Sequence, residues 1–227
     1  MEIEAPNHKI VSETVFNDDA TALSAMQGIH NQLASVPFSG GGASSVTVLA
    51  GLSSEILLPI RSNYQPYTEI SNHDILPTNS RNLNLWSSAY NMIYMVNSLL
   101  EGLESSDNIS ESVREKLEGE GRFVRAFTYF YLVNLYGDVP LILTTDFQTN
   151  ALATREEKNV IYQYILSDLE RAMDLLEENN STAERTQINR ITVIAFLARV
   201  QLYLENWQEA ENLTNLVIGQ EGTYEIL

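Results

Sequence analysis

Residues 119–141 read GEGRFVRAFTYFYLVNLYGDVPL, and this stretch decides the fold. Its apolar side chains recur every three or four residues along two stripes, which predicts a helix covered by neighbours on more than one side. With the preceding turn, the stripes comprise Leu117, Val124, Phe127, Tyr131 and Leu135, and Phe123, Phe130 and Val133. Gly137 can adopt the left-handed conformation that ends a helix, and Pro140 blocks its continuation. We therefore predict a long buried helix that ends at YGDVP.

The charged residues of this stretch raise the question of catalysis. Arg122 follows Glu118 by four residues, a spacing that predicts an ion pair on one helix face. Arg125 has Gly121 one turn back and must find its partner elsewhere. Glu118 or Glu120 could in principle act as a general acid or base. A carboxylate beside an arginine stays ionised, however, so the pattern favours salt bridges between packed helices. We predict no catalytic residue.

Further amphipathic segments surround this helix. One begins at the capping cluster 17–19 and ends before Pro37, and another covers residues 84–103. The central helix begins at Ser110, and a third long helix is predicted over Thr154–Asn179. Residues 190–220 form two helices hinged at Glu205–Trp207, whose small and aromatic residues approach tetratricopeptide spacing, namely Ala195, Ala198, Trp207 and Ala210.

These segments predict an all-α fold. Its architecture is an α/α solenoid of antiparallel, tetratricopeptide-like helix pairs, in which each pair buries its faces against its neighbours. We assign residues 1–227 to a single domain, with an irregular loop region at 38–82 and a tetratricopeptide-like pair at 190–220. The apolar runs 46–50 and 139–144 are too short and isolated to predict a sheet.

The irregular region 38–82 is too long for an inert connector, so we expect a functional loop or short buried helices there. Sugar binding needs an aromatic ring for the apolar face of the sugar and polar groups for its hydroxyls. The candidate ligand-binding residues are Tyr64, Tyr67, Asn63, Asn72, Asp74 and Arg81, with Gln65 nearby. In the competing interpretation, which we favour, the tyrosines pack on helices and the polar residues are solvated. Trp86 falls on a helix stripe, which favours burial.

Composition excludes several classes of function. Thirty acidic and 13 basic residues give a net charge of −17, which repels nucleic acid and anionic membrane surfaces. Cysteine is absent and the three histidines form no ligand motif, so we predict neither a metal nor a cofactor. The glycines of SGGGASS lack the Lys-Ser/Thr ending of a phosphate loop. No run of 18 apolar residues predicts a membrane span.

Four segments, in order along the chain, resemble the RagB/SusD family. The stretch 119–141 carries the most characteristic match, although an alanine is common in the family at the place of Gly121. The other segments are LWSSAYNMIYMVNSLL (85–100), VIYQYILSDLERAMDLL (160–176) and RITVIAFLARVQLYLENWQEA (190–210). The chain has roughly half the usual family length, and the resemblance covers it from Leu85 to about Ile218.

The resemblance implies a surface lipoprotein of Bacteroidota that binds glycans and catalyses no reaction. Its partners would be a glycan and a SusC-like TonB-dependent outer-membrane transporter, which takes up the captured polysaccharide. We expect the lipid anchor and signal peptide to belong to the full-length protein, because this chain has neither. Two alternatives stay open: a protein-interaction scaffold that binds no small molecule, and a glycoside hydrolase with two facing carboxylates in a cleft.

Overall fold

The structure is a computed structural model that describes residues 16–60, 64–177 and 187–220. In these ranges the chain forms nine helices and two strands of two residues each. The elements are α1 (Asp19–Ser35), α2 (Val46–Ser53), α3 (Gln65–Ser71), α4 (Ser80–Ser105), α5 (Glu111–Tyr136), β1 (Val139–Pro140), α6 (Phe147–Asn150), β2 (Arg155–Glu156), α7 (Lys158–Leu175), α8 (Arg190–Tyr203) and α9 (Trp207–Ile218). The predicted all-α, tetratricopeptide-like fold is confirmed. None of these described helices has the length and apolar character that crossing a bilayer requires.

The chain divides into two compact units. One unit contains Met26–Met95, and the other contains Met1–Ala25 together with Val96–Leu227. In the smaller unit α2 packs against α3. In the larger unit α5 packs against α7, α7 against α8, and α8 against α9, as expected for stacked helix pairs. The assignment of residues 1–227 to one domain stays a prediction.

Helix α5 holds the stretch that predicted the fold. Ser110 takes an extended N-cap conformation, and Gly137 ends the helix with φ of 71° while its N–H donates to the carbonyl of Val133 over 3.0 Å. The predicted left-handed conformation of Gly137 is confirmed in φ, whereas its ψ of −125° lies outside the left-handed helical region. The rings of α5 pack against those of α8: Phe130 lies 5.2 Å from Phe196 and 4.9 Å from Tyr203 between ring centroids. The aromatic residues on this side of α5 therefore fill the core.

Two glycines in α5 let neighbouring side chains approach its backbone. A Cβ atom at Gly119 would lie 2.7 Å from Cγ of Leu176, and one at Gly121 would lie 3.2 Å from Cδ2 of Leu99. Both distances are shorter than ordinary van der Waals contact. Close packing thus accounts for two glycines in a helix that would otherwise favour alanine.

The short strands explain why α7 begins later in the chain than predicted. Val139 pairs with Glu156, and Pro140 pairs with Arg155, in an antiparallel ladder. Residues 155–156 therefore belong to a strand, and α7 begins at Lys158 instead of Thr154. The helix ends at Leu175, four residues before the predicted Asn179, which lies outside the described residues.

The region 38–82 contains two short helices and the start of α4. Ser45 caps α2 by accepting a hydrogen bond from the backbone N–H of Val48 over 3.2 Å. Leu49, Leu52 and Ile70 of α2 and α3 are buried. This matches the expectation of short buried helices, whereas the other described residues of the region lie outside regular elements.

Candidate functional site

Three of the candidate residues form one cluster in the smaller unit. The guanidinium carbon of Arg81 lies 5.3 Å from the ring centroid of Tyr64 and 5.3 Å from that of Tyr67. The two rings meet edge to face, with centroids 5.0 Å apart. Residues separated by up to 17 positions in the sequence are thus held together by cation–π and ring contacts. We call Tyr64, Tyr67 and Arg81 the tyrosine–arginine cluster.

Local structure fixes this cluster. Tyr64 occupies the N-cap position of α3 and Arg81 lies in the first turn of α4. The hydroxyl of Tyr67 donates to the carbonyl of Ala43 over 2.8 Å, and Nη1 of Arg81 donates to Oγ of Ser44 over 3.3 Å. The side chains are therefore anchored to the segment that precedes α2.

Asn79 supports the cluster and was missed by the sequence analysis. It is buried, and its Nδ2 donates to the carbonyl of Pro66 over 2.9 Å and to Oε2 of Glu69 over 2.7 Å. Its Oδ1 accepts from the backbone N–H of Arg81 over 3.0 Å. Asn79 thus caps α4 and ties α3 to it. The preference of helix N-caps for asparagine was the available signal.

The remaining candidates lie elsewhere or outside the described residues. Asn72 is the C-cap of α3, and Asp74 follows it with an exposed side chain. Tyr64 and Asn72 lie at opposite ends of α3, about 12 Å apart at 1.5 Å per residue. In the described ranges neither Asn72 nor Asp74 forms a hydrogen bond, ion pair or ring contact with a residue of the cluster, so the structure does not bring them into it. Asn63 lies outside the described residues.

Exposure within the cluster is uneven. Tyr64 is 37% exposed, whereas Tyr67 and Arg81 are half-buried. Trp86, which the sequence assigned to a buried stripe, is also half-buried, and its ring lies 4.8 Å from that of Tyr90. Packing of Tyr67 on its neighbours agrees with the competing interpretation, while the Tyr64 ring remains accessible. A role for the cluster in ligand binding stays a prediction.

Arg122 and Arg125 of the stretch 119–141 lie in the larger unit and bind carboxylates. Arg125 donates to Asp168 from Nε over 2.7 Å and from Nη2 over 2.8 Å, and its Nη1 donates to Oδ1 of Asn97 over 2.9 Å. Arg122 donates to Asp168 over 2.9 Å and to Glu118 over 2.8 Å. The predicted pair of Arg122 and Glu118 is confirmed, and Asp168 is the partner that Arg125 required. These bonds join α4, α5 and α7.

The pKa values of Arg125 and Glu118 follow from their burial and from their charged partners. Burial opposes the charge of Arg125, but hydrogen bonds and charge attraction from Asp168 outweigh it, so the pKa of Arg125 lies above its ordinary value. Burial also opposes ionisation of Glu118, yet hydrogen bonds from Arg171 and Arg122 lower its pKa. Both groups therefore stay charged at neutral pH.

Glu120 behaves differently. Its side chain is 2% exposed, and burial raises its pKa to about 7, partly offset by Lys116, whose Nζ lies 4.0 Å from Oε1. A carboxyl group with this accessibility cannot reach a glycosidic oxygen without a rearrangement of α5.

The tyrosine–arginine cluster has the chemistry of a sugar contact. Tyr64 offers part of a ring face and a hydroxyl, and the guanidinium of Arg81 is oriented by the two rings. A fixed planar guanidinium can donate two parallel hydrogen bonds to neighbouring oxygens. Within the described ranges, no three Asp, Glu or His side chains are grouped to hold a metal ion.

Comparison with known proteins identifies the family. A SusD-like family model, described as starch-binding and associating with the outer membrane, matches residues 53–202. The chain belongs to the SusD-like family. The match runs from the end of α2 almost to the end of α8, and it includes both the tyrosine–arginine cluster and the ion pairs of Arg122 and Arg125 with Asp168.

Relatives extend this similarity over nearly the whole SusD-like chain. SusD-like protein P2 of Formosa agariphila is 26% identical over 98% of this chain and 44% of its own length. SusD-like protein P25 of the same organism is 24% identical over 96% of this chain and 42% of its own length. The chain thus spans less than half the length of these relatives.

Solved structures share the fold. A SusD homologue from Bacteroides thetaiotaomicron superposes with a TM-score of 0.81 at 20% identity, covering 95% of this chain and 43% of its own. A laminarin-binding SusD-like protein superposes with a TM-score of 0.79 at 23% identity, covering 93% of this chain and 47% of its own. At these identities the likeness establishes the fold alone.

Proposed function

We propose that this chain belongs to a glycan-binding protein of the outer membrane that captures polysaccharide and hands it to a SusC-like TonB-dependent transporter. The observation that carries the proposal is the match of residues 53–202 to a family described as starch-binding and associating with the outer membrane. In the full-length protein, a lipid anchor would hold this binding module at the cell surface.

Within this proposal, the tyrosine–arginine cluster contacts the glycan. Tyr64 supplies a partly exposed ring, and Arg81 supplies donors fixed by two aromatic contacts. Because these side chains are already fixed before a ligand binds, less conformational entropy is lost on binding. The cluster therefore has a physical basis for binding sugars, although its residues also serve local packing.

We propose binding without catalysis. Glu118 is held ionised by two arginines, which removes its value as a proton donor, and Glu120 is buried. A hydrolase of this class needs one protonated and one ionised carboxyl group facing the glycosidic bond. Incubation with each glycan that binds should release no reducing sugar, and measurable release would refute this part of the proposal.

The test is calorimetric titration of the 227-residue chain with laminarin, soluble starch and other polysaccharides. We expect binding to at least one neutral glycan, and about tenfold weaker affinity for Arg81→Met, the loss typical of a residue that carries binding energy. Arg199→Met, which removes the same charge from an exposed site, is the control. Failure of the chain to bind any glycan would overturn the proposed function.

A protein-interaction scaffold is the second candidate, and one observation favours it. Three aliphatic side chains that follow α2 are strongly exposed: Ile56 at 81%, Leu58 at 75% and Ile60 at 102%. An exposed aliphatic group of this kind is typical of protein contacts, because sugars are bound through rings and polar groups. If the chain binds no glycan and the double substitution Ile56→Asp, Leu58→Asp abolishes co-purification with a transporter, the scaffold is the better explanation.

A further inference from the structure

The loop between β1 and β2 presents apolar side chains to solvent. Phe147, the first residue of the four-residue helix α6, is 81% exposed, and Leu152, two residues after the helix ends at Asn150, is 83% exposed. Among residues 141–154 only Asp146 carries a charge, in a chain in which 19% of residues are charged. The loop is therefore a weakly charged, partly apolar surface on a strongly acidic protein.

The base of this loop is bonded to two long helices. The backbone N–H of Ile142 donates to the hydroxyl of Tyr129 over 2.7 Å, and its carbonyl accepts from the same hydroxyl over 3.1 Å. The carbonyl of Ile142 also accepts from Nδ2 of Asn97 over 3.0 Å. Asn97 is in turn oriented by Arg125. The hydrogen bonds of Arg125 thus extend through Asn97 to Ile142, at the base of the loop.

Further bonds fix the loop up to its tip. Glu101 of α4 accepts from the backbone N–H of Thr145 over 2.8 Å and from its hydroxyl over 2.5 Å. Asp146 caps α6 by accepting from the N–H groups of Gln148 and Thr149 over 3.1 Å and 3.3 Å. Asn150 closes the turn by donating to the carbonyl of Thr144 over 2.7 Å. These bonds hold the backbone of the loop, whereas Phe147 and Leu152 at its apolar tip contribute no burial to the core.

The tip has two groups that suit a neutral sugar. The Phe147 ring makes no ring contact within the described ranges, so its faces are open to the C–H groups of a pyranose. Next to it, the side-chain amide of Gln148 forms no hydrogen bond to another described residue and can both donate to and accept from hydroxyls. A rigid loop that carries uncommitted side chains is a typical site of binding residues.

We propose that Phe147 and Gln148 form a second glycan contact, which takes a neutral polysaccharide by stacking a sugar on the phenyl ring. This inference rests on the proposed function, but it uses residues outside the tyrosine–arginine cluster. Because Asp146 is the only charge on the loop and the protein is acidic, uronate and sulfate sugars are disfavoured. The proposal assigns the ring a role that an equally exposed aliphatic side chain cannot fill.

Three variants of the 227-residue chain separate these roles. Phe147→Ala removes the ring, Phe147→Trp keeps an aromatic face, and Leu152→Ala removes an equally exposed aliphatic group as the matched control. Each variant is titrated with laminarin and amylose as neutral probes and with polygalacturonate as an anionic probe. We expect Phe147→Ala to weaken neutral-glycan binding about tenfold, while Phe147→Trp and Leu152→Ala bind within about twofold of the parent chain. Polygalacturonate should bind most weakly.

The outcomes distinguish this inference from the proposed function. If the parent chain binds a neutral glycan and Phe147→Ala binds it equally well, the second contact is wrong and the proposed function stands. Equal losses in Phe147→Ala and Leu152→Ala would also overturn it, since they would indicate a general apolar surface such as a protein contact. If the parent chain binds none of the probes, the proposed function itself fails and the inference fails with it.

Discussion

Replacing Asp168 by asparagine should destabilise the larger unit strongly, because Asp168 is the counter-charge of a buried arginine. Asp168 is 6% exposed and Arg125 is 8% exposed. The carboxylate accepts two hydrogen bonds from Arg125 and one from Arg122. Asparagine keeps one acceptor oxygen but removes the charge. Breaking a buried pair by changing one partner costs about 3–5 kcal/mol, and because asparagine retains one oxygen we expect a loss of about 3 kcal/mol.

The matched control is Glu118→Gln, which removes the same charge from a more exposed pair. The side chain of Glu118 is 21% exposed, and its partners Arg122 and Arg171 are 29% and 48% exposed. Solvent screening limits such pairs to below about 1 kcal/mol. The free energy of unfolding should therefore fall at least about three times as much for Asp168→Asn as for Glu118→Gln.

Urea unfolding followed by far-ultraviolet circular dichroism measures both variants. With a slope of about 2–3 kcal/mol per molar urea, a loss of about 3 kcal/mol lowers the midpoint by about 1 M. Glu118→Gln should lower it by less than about 0.4 M. Equal midpoints for the two variants would refute the reasoning, because burial would then make no difference to the value of the carboxylate.

Three further predictions concern α5 and its neighbours. Because Glu120 has a pKa of about 7 when folded and an ordinary value of 4.5, only the folded state keeps its proton between these pH values. Stability should therefore fall as pH rises through that window, and Glu120→Gln should gain about 3 kcal/mol over the parent at pH 8 but not at pH 4. Gly119→Ala should lower the thermal midpoint, since its Cβ would meet a leucine at 2.7 Å, whereas Gly28→Ala, with nothing within 4 Å, should raise stability by about 0.5–1 kcal/mol. Tyr129→Phe should speed amide hydrogen exchange at Ile142, because it removes the hydroxyl to which the Ile142 N–H donates. Unchanged exchange would show that the loop is fixed without this hydrogen bond.

The long helices were predictable because they carry a repeated signal. Twenty-six residues of α5 give the apolar stripes several turns in which to recur, and Gly137 and Pro140 mark the end chemically. Helix α2 has only eight residues, and its sequence VTVLAGLS has the β-branched residues of a strand. Such a short run cannot show a 3.6-residue period. Its cap at Ser45 and its contact with α3 decide its conformation instead.

Long-range pairing was the part that sequence could not supply. The spacing showed that Arg125 needed a partner beyond its own helix turn. The partner, Asp168, lies 43 positions away and is one of 30 acidic residues, so the sequence did not identify it. The start of α7 was misplaced for a similar reason, since Arg155 pairs with Pro140 only once the chain has folded back. Phe147 gave no periodic signal at all, because its exposure depends on loop bonds to Tyr129 and Glu101.

The loop bonded to α4 and α5 separates the residues that maintain the fold from those that can change. Phe147 and Leu152 at its tip lie in solvent. The base of the loop is held by buried or hydrogen-bonded side chains, namely Asn97, Glu101, Arg125 and Tyr129. A substitution at the tip alters no core contact and should change stability by less than about 0.5 kcal/mol. The surface at this point can therefore diversify rapidly by mutation without loss of the folded state, which makes the loop an evolvable element on an otherwise constrained scaffold.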